Sequence, residues 1–138
     1  MLKQDAEWTE ELEMARKTVA AVNKMSPAPK FVTMCGDLIN SFPEEDGSND
    51  DVRARQTADL KSALKDLRKD VPFVCVCGNH DIGNTPTPNT IKEWRRTWGP
   101  DYRSFEVNGC RMIVINSQLF KDPSRTQVNL PRLPRHKL

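Results

Sequence analysis

The spacing of apolar residues along the chain predicts three amphipathic helices. In each of them, apolar side chains recur every three or four positions, as the helical period requires. The stripes are Trp8, Leu12, Ala15, Val19 and Val22; Leu60, Ala63, Leu64 and Leu67; and Ile91, Trp94 and Trp98, with Arg95 beside them. Thr87-Pro88 marks the start of the third helix and Gly99-Pro100 its end, because a hydroxyl cap and a proline in the first turn favour initiation.

Short apolar runs lie between and after these helices and predict strands. The runs are KFVTMC, PFVCVC, YRSFEV and CRMIVIN. Asn108-Gly109 separates the last two and is a strong signal for a tight β-hairpin turn, with both residues at positive φ. The order helix, strand, helix, strand, helix, hairpin is typical of an α/β protein with parallel βαβ units. The apolar strands indicate a sheet covered on both faces, and the acidic stretch SFPEEDGSNDD predicts a solvated loop.

Length and charge limit the range of functions. The 138 residues amount to one ordinary domain, and a formal net charge of +2 does not favour nucleic acid or a membrane as partner. No apolar run approaches the roughly 18 residues of a membrane span, and the start MLKQDAEW lacks a signal-peptide core, so we expect a cytoplasmic protein. We assign residues 1–124 to the domain. Residues 125–138 are predicted to be a disordered, basic, proline-containing tail, with a peptide ligand as the alternative.

All four cysteines lie in apolar, strand-like segments. This pattern fits reduced thiols in a cytosolic protein better than a disulfide framework. Cys75 and Cys77 are two residues apart and would share one face of a strand. We expect both to be buried as small apolar side chains, and a metal-binding C-x-C pair is the alternative.

Two of the predicted strands are followed by similar polar turns, CGD and CGNHD. Ligands of open α/β sheets bind at the carboxyl ends of strands, and glycine allows a sharp turn there. We therefore expect Asp37, Asn79 and His80 to converge on one crevice. Asp37 and Asn79 would supply oxygen ligands for a divalent cation. His80 could donate a proton, and Asp81 could orient its ring. Taken alone, each motif could also be an ordinary turn or helix cap.

The same motifs resemble those of a known family, the calcineurin-like metallophosphoesterases, in which a G-D block precedes a G-N-H-D/E block. Further similarity to one type of serine/threonine phosphoprotein phosphatase within that family is seen in PKFVTMCGDLIN, VCGNHDIGNTPT, RTWGPDYRSFEV and INSQLF, whereas Asn40 departs from the pattern of the large phosphoprotein phosphatases. The resemblance implies a phosphorylated protein as substrate and two divalent metal ions, which could be Mn, Fe or Zn. It implies that Asp37 bridges the metals and that Asn79 binds the second one. It also implies that His80 protonates the leaving group, with Asp81 as its partner.

The resemblance is incomplete. The family begins with a strand ending in D-x-H and continues to a G-H-x-H block, whereas this chain has neither, and its other histidine is His136. The implied fold is a partial phosphoesterase sandwich, with βαβ units, a parallel sheet and a β-hairpin, lacking the first strand and the C-terminal half. Because only about two of roughly seven ligands are present, we expect weak metal binding without two-metal stoichiometry. Two functions remain open: part of a metal-dependent phosphatase, or a catalytically inactive short product acting as a protein-interaction module.

Overall fold

The computed structural model describes residues 8–122, 124 and 125. In chain order they form α1 (Thr9–Lys24), β1 (Val32–Cys35), α2 (Asp50–Leu64), β2 (Phe73–Val76), α3 (Asn79–Ile82), α4 (Pro88–Trp98), β3 (Arg103–Val107), β4 (Cys110–Val114) and α5 (Gln118–Lys121). The predicted order of the longer elements is confirmed. The short helices α3 and α5 were not predicted, because a helix of four residues is too short to show a hydrophobic period.

The strands pair in two separate sheets within the described residues. β1 and β2 are parallel, with Val32 opposite Phe73 and Cys35 opposite Val76, and α2 connects them. β3 and β4 form an antiparallel hairpin. Its turn has Asn108 at φ 51° and Gly109 at φ 78°, which confirms the predicted tight turn. The α/β class and the βαβ unit are therefore as the sequence indicates.

The core lies between the helices and the parallel strands. Its buried members come from α1, from the segment after β1, from α2, from β2 and from the segments that follow it: Trp8, Leu12, Leu38, Ile39, Leu60, Ala63, Cys75, Cys77, Ile82 and Trp94. The expected burial of Cys75 and Cys77 is confirmed. Loss of solvent around each thiol raises the pKa of Cys75 to about 11 and that of Cys77 to about 12, so both stay protonated at neutral pH.

The parallel sheet is covered on both faces at β2 but not at β1, whereas the apolar strands had predicted cover on both faces throughout. In β2, Val74 and Cys75 point to opposite faces and are both buried. In β1, Met34 packs against the core, but Thr33 and Cys35 on the opposite face are exposed. The prediction therefore holds for β2 and is wrong for β1, whose alternation is that of a strand with one solvated face.

The acidic segment between β1 and α2 is only partly a solvated loop. Ser41 is completely buried, and Asp50 and Asp51 already belong to α2. At its other end α2 stops at Leu64, and a separate turn follows. Of the predicted tail, only Arg125 is described, and it forms an ion pair with Glu45; residues 126–138 lie outside the described residues. No helix in the described part of the chain is long and apolar enough to cross a membrane.

Candidate functional site

The crevice is formed where β1 and β2 end side by side. The Gly36 N–H donates to the Val76 carbonyl at 2.8 Å, which extends the strand pairing by one residue. Gly36 at φ 70° and Asp37 at φ 49° then turn the chain out of the sheet. Gly78 lies against this turn: a Cβ there would be 2.3 Å from Asp37 Oδ1 and 2.5 Å from the Asp37 backbone nitrogen. Only glycine at position 78 lets the two strand ends approach this closely.

Asp37, Asn79 and His80 lie at the same end of the parallel pair, as expected. Asp37 is exposed, and its Oδ1 accepts a hydrogen bond from the His80 backbone N–H at 3.0 Å. Asn79 is the first residue of α3 and directly precedes His80. The two turns, more than forty residues apart in sequence, are thus joined by a direct contact. The expected position of these residues at one end of the parallel pair is confirmed.

The imidazole ring of His80 is held through Nδ1. This nitrogen lies 2.6 Å from the Asn40 carbonyl oxygen. A carbonyl oxygen can only accept, so Nδ1 carries the hydrogen and Nε2 is the ring nitrogen left to meet a ligand. The Phe42 ring packs edge-on against the imidazole, with 5.6 Å between the ring centroids. His80 is half-buried in this arrangement.

Asp81 does not orient that ring, which corrects the prediction. Its Oδ1 accepts from the Leu38 N–H at 3.0 Å and its Oδ2 from the Gly78 N–H at 2.7 Å. As the third residue of α3, Asp81 folds back onto the N-cap amide, a geometry common at helix starts. Burial raises its pKa to about 6, and the two backbone hydrogen bonds oppose that rise. Asp81 therefore ties the turn after β1 to the turn after β2.

Arg53 is a site residue that the sequence analysis missed. Its guanidinium donates to three backbone carbonyls, those of Ser41, His80 and Asp81. A neighbouring residue of α2, Gln56, is completely buried and accepts from the Ser41 N–H at 2.8 Å. Positions 53, 56, 60 and 63 continue one helical stripe. Polar residues within an apolar stripe were the signal that could have revealed this role.

The described residues do not form a complete metal site by themselves. Asp37 and Asn79 have the oxygen donors that suit divalent cations. Among residues 8–122, 124 and 125, however, no group of three or more His, Cys, Asp and Glu side chains is arranged to hold a metal ion. This donor set alone does not fit two cations, because each cation needs several ligands.

A groove of about 750 Å³ adjoins the crevice. Its walls are largely apolar side chains of α1, β1 and α2, and its lining includes Asp37, Asn40 and His80. The acidic and imidazole side chains thus border a space large enough for a ligand or a chain segment.

Comparison with known proteins relates this arrangement to a phosphatase. Over 119 residues the chain is 47% identical to serine/threonine-protein phosphatase CPPED1 of Bos taurus and 46% identical to that of Homo sapiens. The Danio rerio protein of the same name is 45% identical over 118 residues. The chain is homologous to a segment of CPPED1. The matches cover 86% of this chain but only 36–37% of these relatives, so it spans about a third of their length.

The homology to CPPED1 agrees with the family resemblance of the motifs. It does not test the individual roles of Asp37, Asn79 and His80, which stay predictions. No family model matches the chain, and no solved structure does.

Proposed function

We propose that this chain carries part of the active site of a metal-dependent serine/threonine phosphoprotein phosphatase. The observation that carries the proposal is the contact between Asp37 and the His80 N–H at the ends of two parallel strands. It is supported by 47% identity to a protein named as a serine/threonine-protein phosphatase. The substrate would be a phosphorylated protein.

In this proposal each residue of the crevice has a separate task. Asp37 and Asn79 would bind divalent cations, Mn, Fe or Zn, together with ligands from outside the described residues. Two bound cations would stabilise negative charge on a phosphoryl group. His80 would donate a proton from Nε2 to the leaving oxygen, while its Nδ1–H stays on the Asn40 carbonyl.

A second candidate function is protein binding without catalysis. It is favoured by the largely apolar groove of about 750 Å³ beside the crevice, which has the size of a binding site. We place either activity in the cytoplasm, and this is supported by the free thiols of Cys35, Cys75, Cys77 and Cys110.

The two candidates can be separated in a chimera. The segment of bovine CPPED1 that matches this chain over 119 residues would be replaced by the corresponding residues of this chain. We expect the chimera to release phosphate from a phosphoserine peptide and to lose this activity when divalent cations are chelated. The unmodified bovine protein is the control. A folded chimera that binds the peptide without releasing phosphate would contradict the catalytic proposal and favour binding.

A further inference from the structure

One guanidinium nitrogen of Arg53 joins the two segments that carry the imidazole of His80 and its acceptor. Arg53 Nη1 donates both to the Ser41 carbonyl and to the His80 carbonyl, the latter at 2.7 Å. Nη2 donates to the Asp81 carbonyl at 2.9 Å. The planar guanidinium thus bridges the turn after β1 and the end of α3, as its fixed fork of donors allows.

The carbonyls that Arg53 binds belong to residues that form the ring's hydrogen bond or directly follow one of them in sequence. The ring bond runs from His80 Nδ1 to the Asn40 carbonyl. Ser41 directly follows Asn40, and His80 itself supplies the second carbonyl bound by Arg53. Separation of the two segments would therefore break the ring bond, and Arg53 opposes that separation from the side facing α2.

The position of Arg53 favours a specific task over simple packing. It occupies the stripe of α2 that continues through Leu60 and Ala63, where an apolar side chain would be buried without the cost of desolvating a charge. That cost is compensated because the charged head satisfies three backbone carbonyls of the site.

We infer that Arg53 is a positioning residue that fixes the tautomer and orientation of the His80 imidazole, so that Nδ1 keeps its hydrogen and Nε2 is presented to the crevice. The value of this arrangement for catalysis rests on the proposed function. The state of the ring does not, and it can be measured on the chain without any phosphatase assay.

The experiment is nitrogen-15 NMR of the labelled chain at a pH where the imidazoles are neutral. The ring nitrogen shifts report which nitrogen carries the hydrogen, and His136, the other histidine of the chain, gives an internal reference. We expect wild-type His80 to show one tautomer, with the hydrogen on Nδ1. Arg53→Gln should lose this single-tautomer signature, and Arg53→Lys should fall between the two, because an ammonium lacks the planar fork.

Arg55→Gln on the same helix is the matched control, since Arg55 is exposed, and it should leave the His80 signals unchanged. Backbone amide spectra would establish that each variant is folded. A merely structural role would lower the urea midpoint of Arg53→Gln without changing the tautomer in the folded protein, and that result would overturn the inference. If Arg53→Gln does not fold, the same measurement is made on Arg53→Lys. Wild-type nitrogen shifts of the His80 ring in that variant would overturn the positioning role of Arg53.

Discussion

Asp81 places a carboxylate in the buried space between the two turns of the site. It is 5% exposed and accepts backbone hydrogen bonds from Leu38 and Gly78. Its pKa rises from an ordinary value of 3.8 to about 6, with desolvation as the largest cause. The folded protein therefore holds a proton on Asp81 at pH values where the unfolded chain has already lost it. The stability contributed by this proton is present below about pH 4 and is lost as the pH rises to about 6.

We expect the effect of Asp81→Asn to depend on pH in that window. The amide of asparagine does not ionise. Its NH₂ group cannot accept a hydrogen bond from one of the two backbone N–H donors, so the variant should be less stable at every pH. The advantage of the wild type over Asp81→Asn should fall by about 2 kcal/mol between pH 4 and pH 7. Urea unfolding at intermediate pH values would measure it.

Asp70→Asn is the control of opposite sign. Arg68 lowers the pKa of this exposed carboxylate below its ordinary value of 3.8 through a side-chain hydrogen bond, so any stability it contributes is present above about pH 4 and is lost as the pH falls below that value. If the stability advantage of the wild type over Asp81→Asn stayed constant or grew with pH, this would contradict the conclusion that burial raises the pKa of Asp81.

Among the elements, those with local signals were predictable to the residue. Thr87-Pro88 begins α4, and Asn108-Gly109 turns the hairpin, because the chemistry of these dipeptides alone favours the observed backbone. α3 and the solvated face of β1 were not predictable in this way. α3 is a single turn held by Arg53 and by the Asp81 carboxylate, and exposure in β1 depends on which elements cover it.

The cap of α4 gives a prediction at this scale. Thr87 Oγ1 accepts from the Thr90 N–H at 3.2 Å, and the Thr87 N–H donates to Thr90 Oγ1 at 3.0 Å. We expect Thr87→Ala to lower the free energy of unfolding by about 1 kcal/mol, since the first-turn N–H loses its partner. Urea denaturation of both this variant and Thr18→Ala would test it. Thr18 lies inside α1, where alanine is the better helix former, so its replacement should be neutral or stabilising by about 0.5 kcal/mol. Equal losses at both positions would contradict the capping role.

At the scale of the whole molecule, buried polar contacts join segments that are distant in sequence. The order of these segments was predicted, but their contacts were not. Asp101 is 1% exposed and binds Arg95 Nε at 2.6 Å and Asn116 Nδ2 at 3.1 Å. This network connects α4 to the segment after β4, and it links the blocks RTWGPDYRSFEV and INSQLF that carry part of the family resemblance. The partners of these side chains depend on rotamers and on the full fold, so spacing along the chain did not reveal them.

In the candidate site, too, the positions of residues were predictable from the sequence, whereas their hydrogen-bond partners were not. The position of Asp37, Asn79 and His80 at one end of the sheet was predictable, because parallel strands end at the same edge of a sheet. The partner of the imidazole was not: the Asn40 carbonyl holds the ring, and Asp81 turns towards two backbone amides. A motif fixes which residues come together, but the direction of each side chain is decided by contacts from other elements, such as that of Arg53.

We propose that His80 acts in catalysis and that Asn79 acts by binding metal. The CPPED1 chimera carrying His80→Ala or Asn79→Ala tests both roles, with kcat on a phosphoserine peptide and bound metal measured together. We expect His80→Ala to lower kcat by about 10²–10⁴ and to leave bound metal nearly unchanged, as for loss of a general acid. Asn79→Ala should lower both, with partial recovery at high metal concentration. Loss of metal in His80→Ala, or an unaltered kcat, would contradict the role proposed for His80.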